Sequence, residues 1–239
     1  SRTVPIASKL SGLNLVKIAV NVQLGKDLIS QGFPRTFYQH QNYFGIKAPV
    51  YSFQKLKGAD PILSPEMKST GERLGISNNF SEAFFKAFFA GNKNNLLFKK
   101  SGRKMIICSL SRVQRQETLP LIKKIVHLGF KIIATNTTAK FLSNNHINCF
   151  NIEKNLKKIK ELIEKKEILA CLNLPTQGQD TNTFGYKLRQ LALTYQIPTY
   201  TCLDTLKAIF NNKNNFKDFS TKAIQEYQQS PKNKKRLAL

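Results

Sequence analysis

From Lys104 onward, apolar and polar positions follow two alternating rhythms. Short apolar runs, "MIICS", "FKIIA", "INCF", "ILACL" and "IPTYT", alternate with segments whose apolar residues recur at helical spacing. Those segments are "ETLPLIKKIVHLG", "TAKFLSNN", "NLKKIKELIEKKE", "TFGYKLRQLALTYQ" and "LDTLKAIFNN". Short, continuous apolar strands alternating with amphipathic helices predict an α/β fold: a doubly wound, parallel five-stranded sheet covered on both faces. Ligands of such sheets bind beyond the carboxyl ends of the strands. That rule selects four places, Ser109 to Arg115, Thr135 to Thr138, Glu153-Lys154 and Asn173 to Thr176.

The first half is irregular. "LNLVKIAVNVQLG" reads as a helix with Asn14 as cap and Gly25 as stop. "IKAPVYSF" is extended, and Pro49 makes it an edge rather than a central strand. "KGADPILSPEMKSTGE" is rich in turns, and "FSEAFFKAFFAG" is a short helix capped by Ser81, ended by Gly91 and apolar nearly all round. None of this supplies a complete core on its own. "NKNNLLFKKSGRK" then reads as a polar linker, so the chain divides into residues 1–92 and 93–239.

Charge changes the picture less than its size suggests. The 239 residues hold 38 Lys+Arg against 14 Asp+Glu, a formal +24, which raises a polyanion such as nucleic acid as a partner. The cations are scattered, apart from the tail "SPKNKKRLAL", and no aromatic–basic reading motif accompanies them. Compositional drift with a solvated surface is the favoured reading, against dedicated nucleic-acid binding. No run approaches the roughly 18 apolar residues of a membrane span, and "SRTVPIASKL" has no signal-peptide core. The expectation is a soluble, cytoplasmic protein that begins in the middle of something longer. Cys108, Cys149, Cys171 and Cys202 form no metal spacing, and the first three lie in apolar, strand-like segments as core hydrophobes. His40, His127 and His146 are far apart, so no metal ligand set is expected.

The strand ends carry the chemistry. Thr135, Thr137 and Thr138 offer hydroxyls, with Thr138 placed at a helix N-terminus, where unpaired N–H groups attract anions. Arg115 and Lys154 offer positive charge, and Asn173 and Thr176 offer neutral hydrogen bonds. Singly, each has a plainer role as cap or solvated charge. Together they suit a phosphate or a carboxylate. No Ser/His/Asp set, paired carboxylates or phosphate-binding glycine loop points to catalysis.

"SRTVPIASK", "IKAPVYSF", "GADPILSPEMKSTGE" and "FSEAFFKA" resemble, in order, the closing portion of carbamoyl-phosphate synthetase large chains. "GFKIIATNTTAKFL" and "CLNLPT" resemble the strand-end signatures of their terminal methylglyoxal-synthase-like allosteric domain. The resemblance covers nearly the whole chain. It implies that residues 1–92 are the tail of an incomplete α+β ATP-grasp unit and that residues 93–239 are a Rossmann-type regulatory domain. It implies an effector site at Arg115, Thr135, Thr138, Lys154, Asn173 and Thr176, with Thr137 where the family usually has glycine and where its bulk narrows the pocket. ATP and Mg²⁺ belong to the complete enzyme, whose residues holding them match no position in this chain. The chain alone is then a fragment, a split-gene product or a relic, without catalytic residues or cofactors of its own. Its implied partners are the rest of the large chain, a glutaminase small chain, and an anionic effector. Ala48 stands where ornithine-activated members carry glutamate, which leaves a nucleotide monophosphate and N-acetylglutamate open. The alternatives are a methylglyoxal-synthase-like lyase, a basic nucleic-acid-binding protein, and a degenerate fragment without function.

Overall fold

The computed structural model describes residues 3–35, 42–53, 58–62, 67–89, 105–175, 180–212 and 221–228. They group into two compact units, one of residues 1–50, 69–92 and 215–239, the other of 51–68 and 93–214. The turn-rich stretch around Asp60 thus goes with the second unit rather than with its neighbours in sequence.

The first unit holds helices α1 (Thr3–Ser11) and α2 (Leu15–Gln23), strands β1 (Phe44–Val50) and β2 (Gly71–Ser77), and helix α3 (Phe80–Phe88). A short helix near the chain end, α9 (Ile224–Gln228), also belongs here. The Asn14 side chain caps α2 by accepting from the Lys17 amide at 3.0 Å. β1 and β2 form a two-stranded antiparallel sheet with Pro49 opposite Glu72, so both strands are edges, as a proline requires. Asn79, not Ser81, caps α3, accepting from the Glu82 amide at 3.1 Å. Ser81 is the second residue of the helix and is buried; the proposed stop at Gly91 falls outside the described residues. α3 lays Ala83, Phe84 and Ala87 on the sheet, and all three are buried. α1 and α2 bury no residue, and Val16, Val20 and Leu24 are exposed.

The second unit is built on strands β3 (Met105–Leu110), β4 (Lys131–Ala134), β5 (Phe150–Asn151), β6 (Ile168–Leu174) and β7 (Thr199–Tyr200). Its helices are α4 (Arg115–His127), α5 (Asn136–Asn144), α6 (Leu156–Glu164), α7 (Phe184–Thr194) and α8 (Leu203–Asn212). The sheet is parallel throughout, in the order β5-β4-β3-β6-β7. All seven residues of β6 are buried, as a strand covered on both faces demands. Ile159 and Ile163 of α6 and Leu188 and Ala192 of α7 pack with Ile107, Ile133 and Cys171 on one face; α4 meets α5 and α8 elsewhere. β5 has only two residues and begins at Phe150, later than the apolar run "INCF" suggests.

Helices α4 to α7 each return to the sheet through one device. Gly129, His146, Lys166 and Gln196 follow their ends with φ of 84°, 60°, 58° and 57°. In each, the next amide reaches back to the last turn: Phe130 to Ile125, Ile147 to Leu142, Glu167 to Leu162, Ile197 to Ala192. These paired bonds satisfy the terminal carbonyls and drop the chain straight into the following strand.

Cys108 and Cys171 are fully buried among strands, whereas Cys149 is only half-buried and lies just before β5, not in a strand. Burial pushes the Cys108 thiol far up and the Cys171 thiol up to about 12. Iodoacetamide at mildly alkaline pH is therefore expected to reach Cys202 and Cys149 in the folded protein, and Cys108 and Cys171 only after unfolding. Peptide mass mapping before and after denaturation checks this.

Candidate functional site

The winding reverses between β5 and β6, so the neighbouring strands β3 and β6 leave the sheet in different directions. A crevice opens at such a point beyond the strand ends. Ser109 and Asn173 face each other there in register, and the Ser111 amide extends the ladder to the Leu174 carbonyl at 2.9 Å.

Thr135, at the end of β4, is the N-cap of α5 by backbone, with φ −70° and ψ 150°, but its side chain makes no cap bond. Its amide is taken by the Cys108 carbonyl at 3.3 Å, and its hydroxyl lies 3.5 Å from Ser109 Oγ and 3.4 Å from Thr138 Oγ1. The amides of Asn136, Thr137 and Thr138 make no hydrogen bond among the described residues. Uncapped N–H groups at the positive end of a helix form an anion site.

Thr138 proves not to be the helix cap. It sits in the first turn of α5, fully buried, and its hydroxyl accepts the Leu110 amide at 3.0 Å, pinning α5 to the end of β3. Thr137 points outward and its hydroxyl accepts from Arg115 Nη2 at 2.8 Å. Thr137 thereby holds the Arg115 guanidinium near the start of α5, with the Phe141 ring 6.0 Å away. Between the end of β3 and the first residue of α4, three buried polar atoms, Ser111 Oγ, Gln114 Oε1 and Arg115 Nε, lack a partner among the described residues. Buried polar groups are seldom left so without a ligand or water.

Lys154 is exposed and lines an open pocket of about 600 Å³ with Asn136, Glu153, Asn155, Leu156 and Lys157. Its ammonium therefore shares a pocket with the first residue of α5 and the N-terminus of α6, while Glu153 in the same pocket partly offsets its charge. Thr176 lies outside the described residues.

Asn173 is 2% exposed. Its Nδ2 donates to the Ser109 carbonyl at 3.3 Å, and its Oδ1 accepts from Arg189 Nη1. Arg189 is a residue that periodicity hides. Sequence reading gave α7 an ordinary amphipathic stripe, yet this arginine stands inside the stripe between Leu188 and Ala192. It is held by Asp60, with Nε to Oδ1 at 2.6 Å and Nη2 to Oδ2 at 2.5 Å. The available signal was a charge among apolar stripe positions, matched to a lone acid in "GADPIL".

Parallel strands in this order, alternating with helices, define a doubly wound α/β fold. Residues 117–201 match the MGS-like domain family. Over its whole length the chain is 38% identical to the carbamoyl phosphate synthase large chain of Thermoanaerobacter sp. (strain X514), of which it spans 22%. The corresponding large chain of Clostridium acetobutylicum is 36% identical over 87% of this chain and 19% of the relative. That of Clostridium botulinum (strain Loch Maree / Type A3) is 37% identical over 89% of this chain and 20% of the relative. The chain thus spans about a fifth of the length of these relatives and is similar to a C-terminal portion of them. No helix of the described residues is long and apolar enough to cross a membrane.

Proposed function

We propose that residues 105–212 bind an anionic small-molecule effector at the strand ends, as the regulatory portion of a carbamoyl phosphate synthase large chain. The observation that carries this is the uncapped start of α5: three amides without partners among the described residues, beside the Thr135 hydroxyl and the Asn173 amide. Arg115, held over that helix end by Thr137, and Lys154, sharing a pocket with Asn136, supply the charge. A phosphate or carboxylate placed there would meet several donors, and residues 111–115 add polar atoms without a partner among the described residues. The effector is a nucleotide monophosphate or N-acetylglutamate. Catalysis, with its ATP and Mg²⁺, and the contact to a glutaminase small chain belong to other parts of the enzyme, which serves pyrimidine and arginine synthesis in the cytoplasm. Effector binding controls it through linkage: an anion that favours one arrangement of this domain shifts the equilibrium of the enzyme joined to it.

The test is thermal unfolding with UMP, IMP and N-acetylglutamate at millimolar concentration. A ligand at ten times its Kd stabilises by about 1.4 kcal/mol, a shift of a few degrees in Tm. Thr135→Ala is expected to abolish the shift while lowering the ligand-free Tm little, because the Thr135 hydroxyl has only long contacts in the free protein. Absence of a shift with all three compounds would sink the reading.

A further inference from the structure

The end of β6 carries a device that decides which end of an amide it shows. Arg189, 2% exposed, spends its donors on three acceptors: both oxygens of Asp60 and Oδ1 of Asn173. Room for this arrangement comes from Gly185 on α7. A Cβ there would stand 3.3 Å from Arg189 Nη1 and 3.4 Å from Asn173 Oδ1.

An asparagine amide is oriented by its partners. Here both partners demand the same orientation. A guanidinium only donates, so it must face Oδ1; the Ser109 carbonyl only accepts, so it must face Nδ2. With Oδ1 occupied and one N–H spent on Ser109, the second N–H of Nδ2 is left without a partner among the described residues. The strand end therefore presents a donor. Turned over, the same side chain would present an oxygen and repel an anion.

Asp60 has its own mooring. It lies in segment 58–62, which is held residue by residue: Tyr186 Oη donates to the Gly58 carbonyl at 3.0 Å, Gln190 Nε2 to Ala59 at 2.9 Å, and Thr201 Oγ1 to Pro61 at 3.2 Å. Lys68 Nζ adds bonds to the carbonyls of Asp60 and Ile62. The carboxylate that fixes Arg189 is thus fixed by a strap along α7.

Resting on the effector reading above, we infer that Arg189, held by Asp60, is the positioning and specificity-determining residue of the strand-end site. It locks the Asn173 amide with a donor toward the ligand, and it makes the anion preference of the strand ends depend on the seating of segment 58–62. Arg189 touches no ligand itself; it acts through Asn173.

The experiment uses the full chain with UMP as probe, titrated calorimetrically into wild type, Asp60→Asn, Arg189→Lys, Asn173→Ala and the double variant Asp60→Asn/Asn173→Ala. A lock predicts that Asp60→Asn and Arg189→Lys each weaken UMP about fivefold, the worth of one hydrogen bond. It also predicts that the double variant binds no more weakly than Asn173→Ala alone, since Asp60 acts only through that amide. Unchanged UMP affinity in the folded variants, or losses that simply add, would mean that the ion pair serves stability alone and would overturn the inference. A second arm needs no ligand: the Asn173 side-chain NH₂ resonances of ¹⁵N-labelled protein should be slow to exchange in wild type and lose that protection in Asp60→Asn. If wild type binds no UMP, the effector reading fails for that compound, and the resonances decide the lock by themselves. Identical resonances in both proteins would refute it.

Discussion

Gly75→Ala is expected to unseat α3 from the two-stranded sheet and to unfold the first unit at temperatures the wild type tolerates. A Cβ at position 75 would stand 2.0 Å from the Ala83 carbonyl oxygen and 2.5 Å from the Ala87 nitrogen. Both obstacles are backbone, so no side chain can rotate away. The helix must move as a body, and Ala83 and Ala87, wholly buried on the glycine, lose their seat together with Phe84. Overpacking of a core costs about 1–3 kcal/mol where side chains can yield; against backbone the cost lies at or above that range. The control is Gly71→Ala on the same strand, whose Cβ would meet only the Val50 Cβ at 3.8 Å. Chymotrypsin should cut readily within residues 69–89 of Gly75→Ala, while Gly71→Ala resists like wild type. Equal resistance of both variants would show that α3 does not pack on Gly75 as described.

How much of this was legible beforehand depended on which physical rule governed each element. The second unit was readable because burial alone shapes it. β3, β4 and β6 are covered on both faces, so they appear as unbroken apolar runs, and the helices between them carry one-sided stripes. β5 was misplaced because two residues are too few to impose a pattern, and its apolar neighbour Ile147 is buried as a loop residue returning from α5. In the first unit β2 went unseen. "GERLGIS" opens with a glycine and two charges, and it becomes a strand by pairing with β1 and lying under α3. Its internal Gly75 is a close-approach residue, which sequence cannot tell from a turn.

The candidate site divides the same way. Thr135, Thr138 and Asn173 could be placed because strand ends follow from strand identity, and the structure brings them together with Ser109. Their roles could not. Which of two threonines three apart caps the helix turns on where the helix begins, and Thr138 proved to be a clamp on β3. Thr137 was judged by bulk, whereas its hydroxyl is what holds Arg115. Arg189 and Asp60 were missed because their partnership spans 129 positions, and local pattern carries no information at that range.

That distant pair also governs the second large effect. Asp60→Ala is expected to destabilise the second unit by about 3–5 kcal/mol, the usual consequence of leaving a buried charge without its counter-ion. The Arg189 side chain is 3% exposed and that of Asp60 16%, so water cannot replace the lost carboxylate. Both nitrogens that faced Asp60, Nε and Nη2, would be stranded, with only Nη1 still bonded to Asn173. The expectation separates two meanings of the ion pair. If its purpose were stability, an apolar pair of similar volume should serve as well, because desolvation offsets most of the attraction between buried charges. Asp60→Ala/Arg189→Met is accordingly expected to recover much of the stability lost in Asp60→Ala, read as the midpoint of urea unfolding at constant slope. It should not recover UMP binding, because Met cannot hold the Asn173 oxygen and the amide is then free to turn. Stability returning without affinity is the signature of a group kept for what it orients. Both returning together would reduce the pair to packing, and neither returning would place its importance in the strap it moors.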